Sequence, residues 1–207
     1  MAKPNHVAAV EHLKGVDPKL AVLIERVGEC RFQVRSNLSI YETLLRSIMY
    51  QQLAGTAAAA ILRRLQALFH DGGHYPTPEQ ILNASDELLR SAGVSRNKML
   101  AIRDLALKTV EGVVPTRAQA RRLENEILME RLTSIRGIGV WTVEMLLIFG
   151  LGRMDVLPVT DYGVRKGFQR TFRTRSLPTP KQMLRRGEKW RPYRSIASWY
   201  LWRAAEE

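Results

Sequence analysis

The sequence contains few of the residues that cross-link a chain or bind metal clusters. Cys30 is the only cysteine among the 207 residues, which excludes an intramolecular disulfide, a thiolate-only zinc site and a four-cysteine iron–sulfur cluster. The histidines are too scattered to suggest a shared ligand set: His6, His12, His70 and His74. We therefore expect no metal site built from side chains, and a reducing, intracellular setting.

Long apolar runs are also missing. No stretch approaches the roughly 20 apolar residues that a membrane-spanning helix needs. Residues 1–10 include Lys3, Asn5 and His6 and lack the apolar centre of a secretory signal. We expect a soluble, unprocessed monomer without membrane contact, in the cytoplasm or nucleoid of a bacterium or in the nucleus of a eukaryote.

Negative charge is scarce relative to positive charge. The chain has 32 Lys and Arg against 20 Asp and Glu, a formal charge of +12, which favours an extended anionic partner such as nucleic acid. For any single basic residue, a solvated helix surface is the alternative interpretation. The excess is concentrated between residues 161 and 194, where only Asp161 and Glu188 are acidic. Eleven basic residues lie there: Arg165, Lys166, Arg170, Arg173, Arg175, Lys181, Arg185, Arg186, Lys189, Arg191 and Arg194.

Strand patterns are nearly absent, and helical periodicity dominates. Residues 40–69 carry a long apolar stripe that Gly55 divides into two helices or bends. Residues 30–35 alternate weakly, which indicates an extended connector or at most one short strand, and residues 71–76 indicate a loop. Further helix starts are predicted at capping residues: Asp17, Thr77, Ser85, Ser95 and Thr179. The sequence predicts an all-α fold.

A glycine-punctuated turn stands between helical patterns at Gly137-Ile138-Gly139. Two glycines around one apolar residue permit a sharp turn, so that the next helix begins with outward-pointing N–H groups. Such N–H groups bind a phosphate oxygen without reading base sequence. We predict phosphate binding by Gly137, Ile138, Gly139 and Thr142, together with Arg165 and Lys166 of the basic segment. A plain interhelical turn is the alternative.

The segment from Leu132 to Gly167 resembles the helix-hairpin-helix superfamily of DNA glycosylases, and within it the 3-methyladenine DNA glycosylase II family, which removes alkylated bases. The resemblance spans roughly residues 40–205. It also rests on three further segments: Ile48-Met49-Tyr50-Gln51-Gln52-Leu53, Gly93-Val94-Ser95-Arg96-Asn97-Lys98, and Trp190 to Tyr200.

The resemblance implies that Asp161 is the catalytic carboxylate. It follows Thr142 by 19 residues, in a Gly- and Pro-containing loop. A carboxylate there stabilises the positive charge that develops on the sugar and orients or deprotonates water. A helix cap without catalytic function is the alternative for Asp161. The nearby Asp155 is interpreted as a structural turn residue.

The family members that also cut the DNA strand carry a lysine two residues after the second hairpin glycine. This chain has Trp141 there, and tryptophan cannot form a Schiff base with the sugar. We therefore predict a monofunctional enzyme. Trp141 is a candidate for stacking on the extruded base, with core packing as the alternative; softer candidates for the base pocket are Tyr41, Trp199 and Trp202.

The Gln51-Gln52-Leu53 segment lies where the family carries the wedge that fills the space of the extruded base. We favour Gln52, with Leu53 as the neighbouring candidate and an exposed glutamine at a helix bend as the alternative. Where many relatives carry serine after the leucine, this chain has Ala54, which removes one local hydrogen bond.

Together these observations predict a single compact helical glycosylase domain over residues 1–207. Two packed subdomains are expected, 35–120 and 1–34 plus 121–207, with the helix-hairpin-helix at 126–149 and the active-site cleft between them. The predicted partner is double-stranded DNA containing damaged bases, and no cofactor is expected. By resemblance, backbone carbonyls of residues 134–139 are a candidate site for a monovalent cation.

Two other functions remain open on the sequence alone. The basic surface and the hairpin would equally serve a non-catalytic DNA-binding protein, in which Asp161 is dispensable. A glycosylase for oxidised or mismatched bases is the other alternative, although such relatives commonly carry the lysine or an iron–sulfur cluster.

Overall fold

The computed structural model describes residues 6–34, 37–69 and 74–206. These residues form helices, turns and irregular connections and contain no strand, which confirms the all-α prediction. Residues 30–34 have no regular secondary structure, while Arg35 and residues 71–73 of the predicted connector and loop lie outside the described residues. None of the described helices is long and apolar enough to span a bilayer.

The chain divides into two compact units, residues 1–34 with 147–207 and residues 35–146. The boundary that we predicted near residue 121 is therefore corrected to residue 147. The reason is that the hairpin packs on a helix of the 35–146 unit: a Cβ on Gly137 would lie 3.2 Å from the Cβ of Ala101, and the Arg136 N–H donates to Asp104 at 2.7 Å.

The 35–146 unit contains eight helices within its described residues. They are α3 (Ile40–Tyr50), α4 (Gly55–Ala67), α5 (Pro78–Asn83), α6 (Asp86–Ser91), α7 (Arg96–Val110), α8 (Arg117–Ala120), α9 (Asn125–Thr133) and α10 (Val140–Met145). Helix α7 contacts α3, α5 and α6, and its buried face includes Met99, Ile102 and Leu105. The local start signals behave as predicted, since the hydroxyls of Thr77, Ser85 and Ser95 accept N–H groups of the turns they precede.

The other unit contains five helices within its described residues. They are α1 (His6–Val16), α2 (Pro18–Val27), α11 (Tyr162–Phe172), α12 (Pro180–Gly187) and α13 (Arg194–Glu206), with a 3₁₀ turn at Glu188–Trp190. Helix α13 contacts α1, α2 and α11. The core of this unit is formed by apolar side chains such as Leu13, Leu20 and Leu201, which are fully buried.

A fully buried carboxylate joins the N-terminal helices to the C-terminal segment within this unit. Asp17 caps α2 and also accepts two hydrogen bonds from the Arg186 guanidinium, at 2.7 and 2.9 Å. The Trp190 indole N–H donates to it at 2.9 Å, and Lys189 Nζ lies 3.2 Å away. Burial alone would raise the pKa of Asp17, but the bonds from Arg186 and Trp190 outweigh burial and lower it.

We predict that Asp17→Asn destabilises the protein by about 3 kcal/mol, because it leaves the Arg186 guanidinium without its buried counter-charge. The folded-state pKa lies below the ordinary value of 3.8. The stabilisation is therefore present above that pH and is lost as the pH falls through the folded-state pKa. Urea unfolding at pH 7 and at pH 3 measures both effects.

The control is Glu206→Gln, which removes an exposed ion pair with Arg203 (2.9 Å) and should change stability by less than about 1 kcal/mol. Equal effects of the two variants would contradict the role given to the buried cluster. The difference between wild type and Asp17→Asn should also shrink at pH 3.

Candidate active site and DNA-binding elements

Asp161 lies at the N-cap of α11, with its side chain half-buried. Its Oδ1 accepts the Val164 N–H at 2.7 Å and the Trp202 indole N–H at 2.8 Å. The backbone N–H of Asp161 donates to the Pro158 carbonyl at 3.1 Å. On the sequence alone, a helix cap and a catalytic carboxylate were alternative interpretations of Asp161. The cap geometry is present, and it holds the carboxylate in a fixed orientation.

Three aromatic rings pack against one another, at tilted angles, in the same unit as Asp161. The rings of Phe149 and Trp202 are 5.5 Å apart, and those of Phe32 and Phe149 are 5.7 Å apart. Gly163 allows the indole to approach, because a Cβ there would lie 2.8 Å from Trp202 Cδ1 and 3.2 Å from Asp161 Oδ1. The sequence suggested Trp202 only as a soft base-pocket candidate; no spacing rule links it to a carboxylate 41 residues earlier.

Asp155, the competing carboxylate, is part of an ion-pair cluster. It accepts hydrogen bonds from Arg191 at 2.8 Å and from Arg194 at 2.5 Å. Arg194 also donates to the Asp155 backbone carbonyl at 3.2 Å. The structure therefore agrees with the interpretation of Asp155 as a structural acid.

The basic segment contributes substantially to holding its own unit together. Arg186, Lys189, Arg191 and Arg194 surround the two structural aspartates, and Arg170 donates to carbonyls at the end of α13. Two of the predicted phosphate ligands lie in this segment: Arg165 donates to the Pro178 carbonyl at 3.1 Å and Lys166 to the Gln169 side chain at 3.2 Å. Exposed side chains of this segment include Arg173, Arg175, Lys181 and Arg185.

The predicted hairpin consists of α9, a turn and α10, and a π-helical turn at Leu146–Gly150 follows α10. Gly137 has φ +80°, a left-handed conformation that favours glycine. Gly139 precedes α10 in an extended conformation, and no side chain caps this helix. Both glycines therefore stand where the phosphate-binding prediction requires them.

Ile138 and Thr142, two of the predicted phosphate contacts, lie within the hairpin. Both side chains are buried. The Ile138 N–H donates to the Ile135 carbonyl, and the Thr142 N–H donates to the Gly139 carbonyl, each at 3.0 Å. Both N–H groups thus stabilise the turn, and phosphate binding by this segment stays a prediction.

The aromatic residues predicted for the base pocket differ in exposure. Trp141 is 52% exposed at the start of α10. Trp199 is partly buried; its ring contacts that of Tyr200 edge-on at 5.0 Å, and Arg203 lies over it at 5.5 Å. Tyr41 is only 7% exposed, and burial raises the pKa of its hydroxyl. Tyr41 is therefore a buried residue, and its assignment to the base pocket stays a prediction.

The predicted wedge lies in the turn between α3 and α4. Gln52 is exposed and has φ +56°, and Leu53 is 39% exposed. The Gln51 side chain donates to the Gly137 carbonyl at 2.8 Å, a contact that the sequence did not suggest. Ala54 precedes α4 without a side-chain cap, as its replacement of serine predicted.

In the part of the chain that the structure describes, no group of three His, Cys, Asp or Glu side chains could hold a metal ion. The carbonyls of Ile135, Gly137 and Gly139, in the turn where a monovalent cation was considered, already accept hydrogen bonds. Cation binding at these carbonyls stays a prediction.

Known proteins resemble this chain over nearly its whole length. DNA-3-methyladenine glycosylase 1 of Schizosaccharomyces pombe is 40% identical over 200 residues, covering 94% of this chain and 86% of that protein. A solved structure of the S. pombe 3-methyladenine DNA glycosylase with abasic DNA has a TM-score of 0.82 and 39% identity, covering 97% of each chain. For the DNA-3-methyladenine glycosidase of Bacillus halodurans the values are 0.86 and 36%, covering 95% of this chain and 88% of that one.

The family model that matches is described as HhH-GPD superfamily base excision DNA repair protein, and it aligns with residues 45–192. That range includes the α3–α4 turn, the hairpin and the Asp161 loop. The chain therefore belongs to the HhH-GPD superfamily of base excision DNA repair proteins.

Proposed function

We propose that this chain is a monofunctional DNA glycosylase that flips alkylated purines, such as 3-methyladenine and 7-methylguanine, out of duplex DNA and hydrolyses their N-glycosidic bonds. The relatives named as 3-methyladenine glycosylases support the substrate class. The observation that carries the chemistry is the Asp161 carboxylate, held on one oxygen by the Val164 N–H and the Trp202 indole. We propose that the protein acts inside the cell, in the compartment that contains DNA.

Asp161 acts on the sugar. As the glycosidic bond breaks, the sugar acquires oxocarbenium character, and a carboxylate about 4 Å away interacts with that charge by roughly 4 kcal/mol at an effective dielectric near 20. The two N–H donors fix the carboxylate before the reaction, so little reorganisation is needed. Water is the nucleophile, oriented or deprotonated by Asp161.

The leaving base needs little protonation. Purines alkylated at N3 or N7 carry a positive charge, so bond cleavage releases a neutral base without a general acid. The half-exposed Trp141 ring offers an electron-rich face for stacking and cation–π attraction to such a base.

The 35–146 unit contains the elements proposed to engage the duplex. The hairpin backbone around Gly137 and Gly139 would bind a phosphate of the sugar–phosphate chain. Gln52, exposed at the α3–α4 turn, would fill the vacated space in the base stack and hydrogen-bond the orphaned partner base.

We predict that Asp161→Asn lowers the rate of base release by at least about a hundredfold. Asparagine keeps an oxygen for the Val164 and Trp202 donors, so the fold should be retained while the negative charge is lost. Single-turnover release of free purines from methylated duplex DNA measures the effect. The matched control is Asp155→Asn in the same loop, which should change stability but leave the release rate within about threefold at a permissive temperature.

An Asp161→Asn variant as fast as wild type would overturn the proposed mechanism. If neither wild type nor variant releases a base but both bind DNA, the chain is a non-catalytic DNA-binding protein.

We predict that Trp202→Phe lowers kcat about tenfold and leaves KM nearly unchanged, because one charge-assisted hydrogen bond to the carboxylate is lost. Phenylalanine preserves an aromatic ring next to Phe149, so thermal stability should change little. Tyr193→Phe, which removes a hydroxyl elsewhere in the same unit, serves as control and should keep the wild-type kcat. A rise in KM alone would instead indicate that Trp202 binds the base.

We predict that borohydride traps no covalent adduct between the protein and DNA, because Trp141 replaces the lysine that forms a Schiff base. Denaturing gel electrophoresis after reaction with methylated DNA tests this, with a lysine-containing glycosylase/lyase as positive control. A trapped species under conditions of active base release would contradict monofunctional hydrolysis.

A further inference from the structure

One residue of the α3–α4 turn has an unfavourable backbone conformation. Gln52 has φ +56°, in the left-handed region that residues other than glycine rarely adopt. Such strain persists only where neighbouring contacts maintain it, and it concentrates at functional positions. The contacts that maintain it here should therefore bear on what Gln52 does.

Gln51, the residue before Gln52, makes a long-range contact next to this strained position. It ends α3, and its side-chain amide donates to the Gly137 carbonyl at 2.8 Å, across 86 residues of sequence. Gly137 is the left-handed residue of the hairpin turn. One hydrogen bond thus joins the turn that carries Gln52 to the turn that would bind phosphate.

Side chains of helix α7 hydrogen-bond to the backbone beside both turns. Lys98 Nζ donates to the Met49 carbonyl at the end of α3, and the Asp104 carboxylate accepts the Arg136 N–H at 2.7 Å. Between them, Ala101 packs so closely that a Cβ on Gly137 would lie 3.2 Å from its own Cβ. Both turns are therefore hydrogen-bonded to the same helix, and the Gln51 side chain forms a third hydrogen bond that joins one turn to the other.

We propose that Gln51 is a positioning residue that couples the Gln52 turn to the hairpin, so that phosphate binding and insertion of Gln52 into the base stack occur as one rigid unit. This inference rests on the proposed function and deepens it. Insertion must offset the free energy of unstacking a base pair, and a side chain already held in its inserting conformation loses less entropy on binding. Gln51 provides this preorganisation without itself replacing the base.

A double-mutant cycle tests the coupling, with Gln51→Ala, Gln52→Ala and the double variant. The probe is a 25-base-pair duplex with a tetrahydrofuran abasic analogue next to 2-aminopurine. The Kd of the protein for this duplex reports binding, and the 2-aminopurine emission reports local unstacking. Release of purines from methylated DNA is measured in parallel. Gln51→Glu keeps the side-chain shape but has no N–H to donate, and Gln33→Ala, an exposed glutamine of the other unit, is the control.

Gln51→Ala should weaken both probe binding and kcat/KM about five- to tenfold, the ratio expected for one lost hydrogen bond. In the Gln52→Ala background the same change should cost less than about twofold, because Gln51 acts through Gln52. Gln51→Glu should be at least as impaired as Gln51→Ala. Gln33→Ala should match wild type, and the melting temperatures of the variants should stay close together.

Independent, additive losses would overturn the proposal and would indicate that Gln51 contacts DNA directly. Wild-type behaviour of Gln51→Ala would overturn it as well. If wild type releases no methylated purine while the binding cycle still shows coupling, the proposed function fails and the role of Gln51 stands.

Discussion

The close approach of α13 to α11 determines where the candidate carboxylate stands. A Cβ on Gly167 would fall 1.7 Å from the Leu201 carbonyl oxygen, and one on Gly163 would fall 2.8 Å from Trp202 Cδ1. These glycines are four residues apart and so share one face of α11. Each costs about 1 kcal/mol relative to alanine inside a helix, and in return the helices pack closely enough for the Trp202 indole to reach Asp161.

Charge in this chain serves two separate purposes. Arginines that could be taken for phosphate ligands surround Asp17 and Asp155 and hold the termini of their unit together. The net charge of +12 is unchanged by these ion pairs, because each pair contains one positive and one negative charge. Attraction to DNA at long range depends on the net charge, whereas stability depends on the few arginines with buried or half-buried partners. The two roles can therefore be changed separately.

Local signals allowed much of the fold to be predicted from the sequence. Capping at Asp17, Thr77 and Thr179 depends on residues within one turn, and the glycine spacing of the hairpin is equally local. Helix α1 was missed, because its apolar positions form a weak pattern, and the unit boundary was placed 26 residues too early. The burial of Tyr41 depends on tertiary packing, which the sequence does not encode in a local pattern.

The contacts that define the candidate site were also beyond prediction, since they join distant segments. Trp202 reaches Asp161 across 41 residues and Gln51 reaches Gly137 across 86. Resemblance to a family identifies positions such as Asp161, but not the donors that orient them.

The π-helical turn at Leu146–Gly150 connects the hairpin to the segment that contains Asp161. Helix α10 (Val140–Met145) runs directly into this turn, whose wider winding changes the direction of the side chains that follow. Phe149 lies in the turn, and its ring packs on Trp202, which donates to Asp161. The turn thus contributes, through Phe149, to the packing of the indole that orients Asp161.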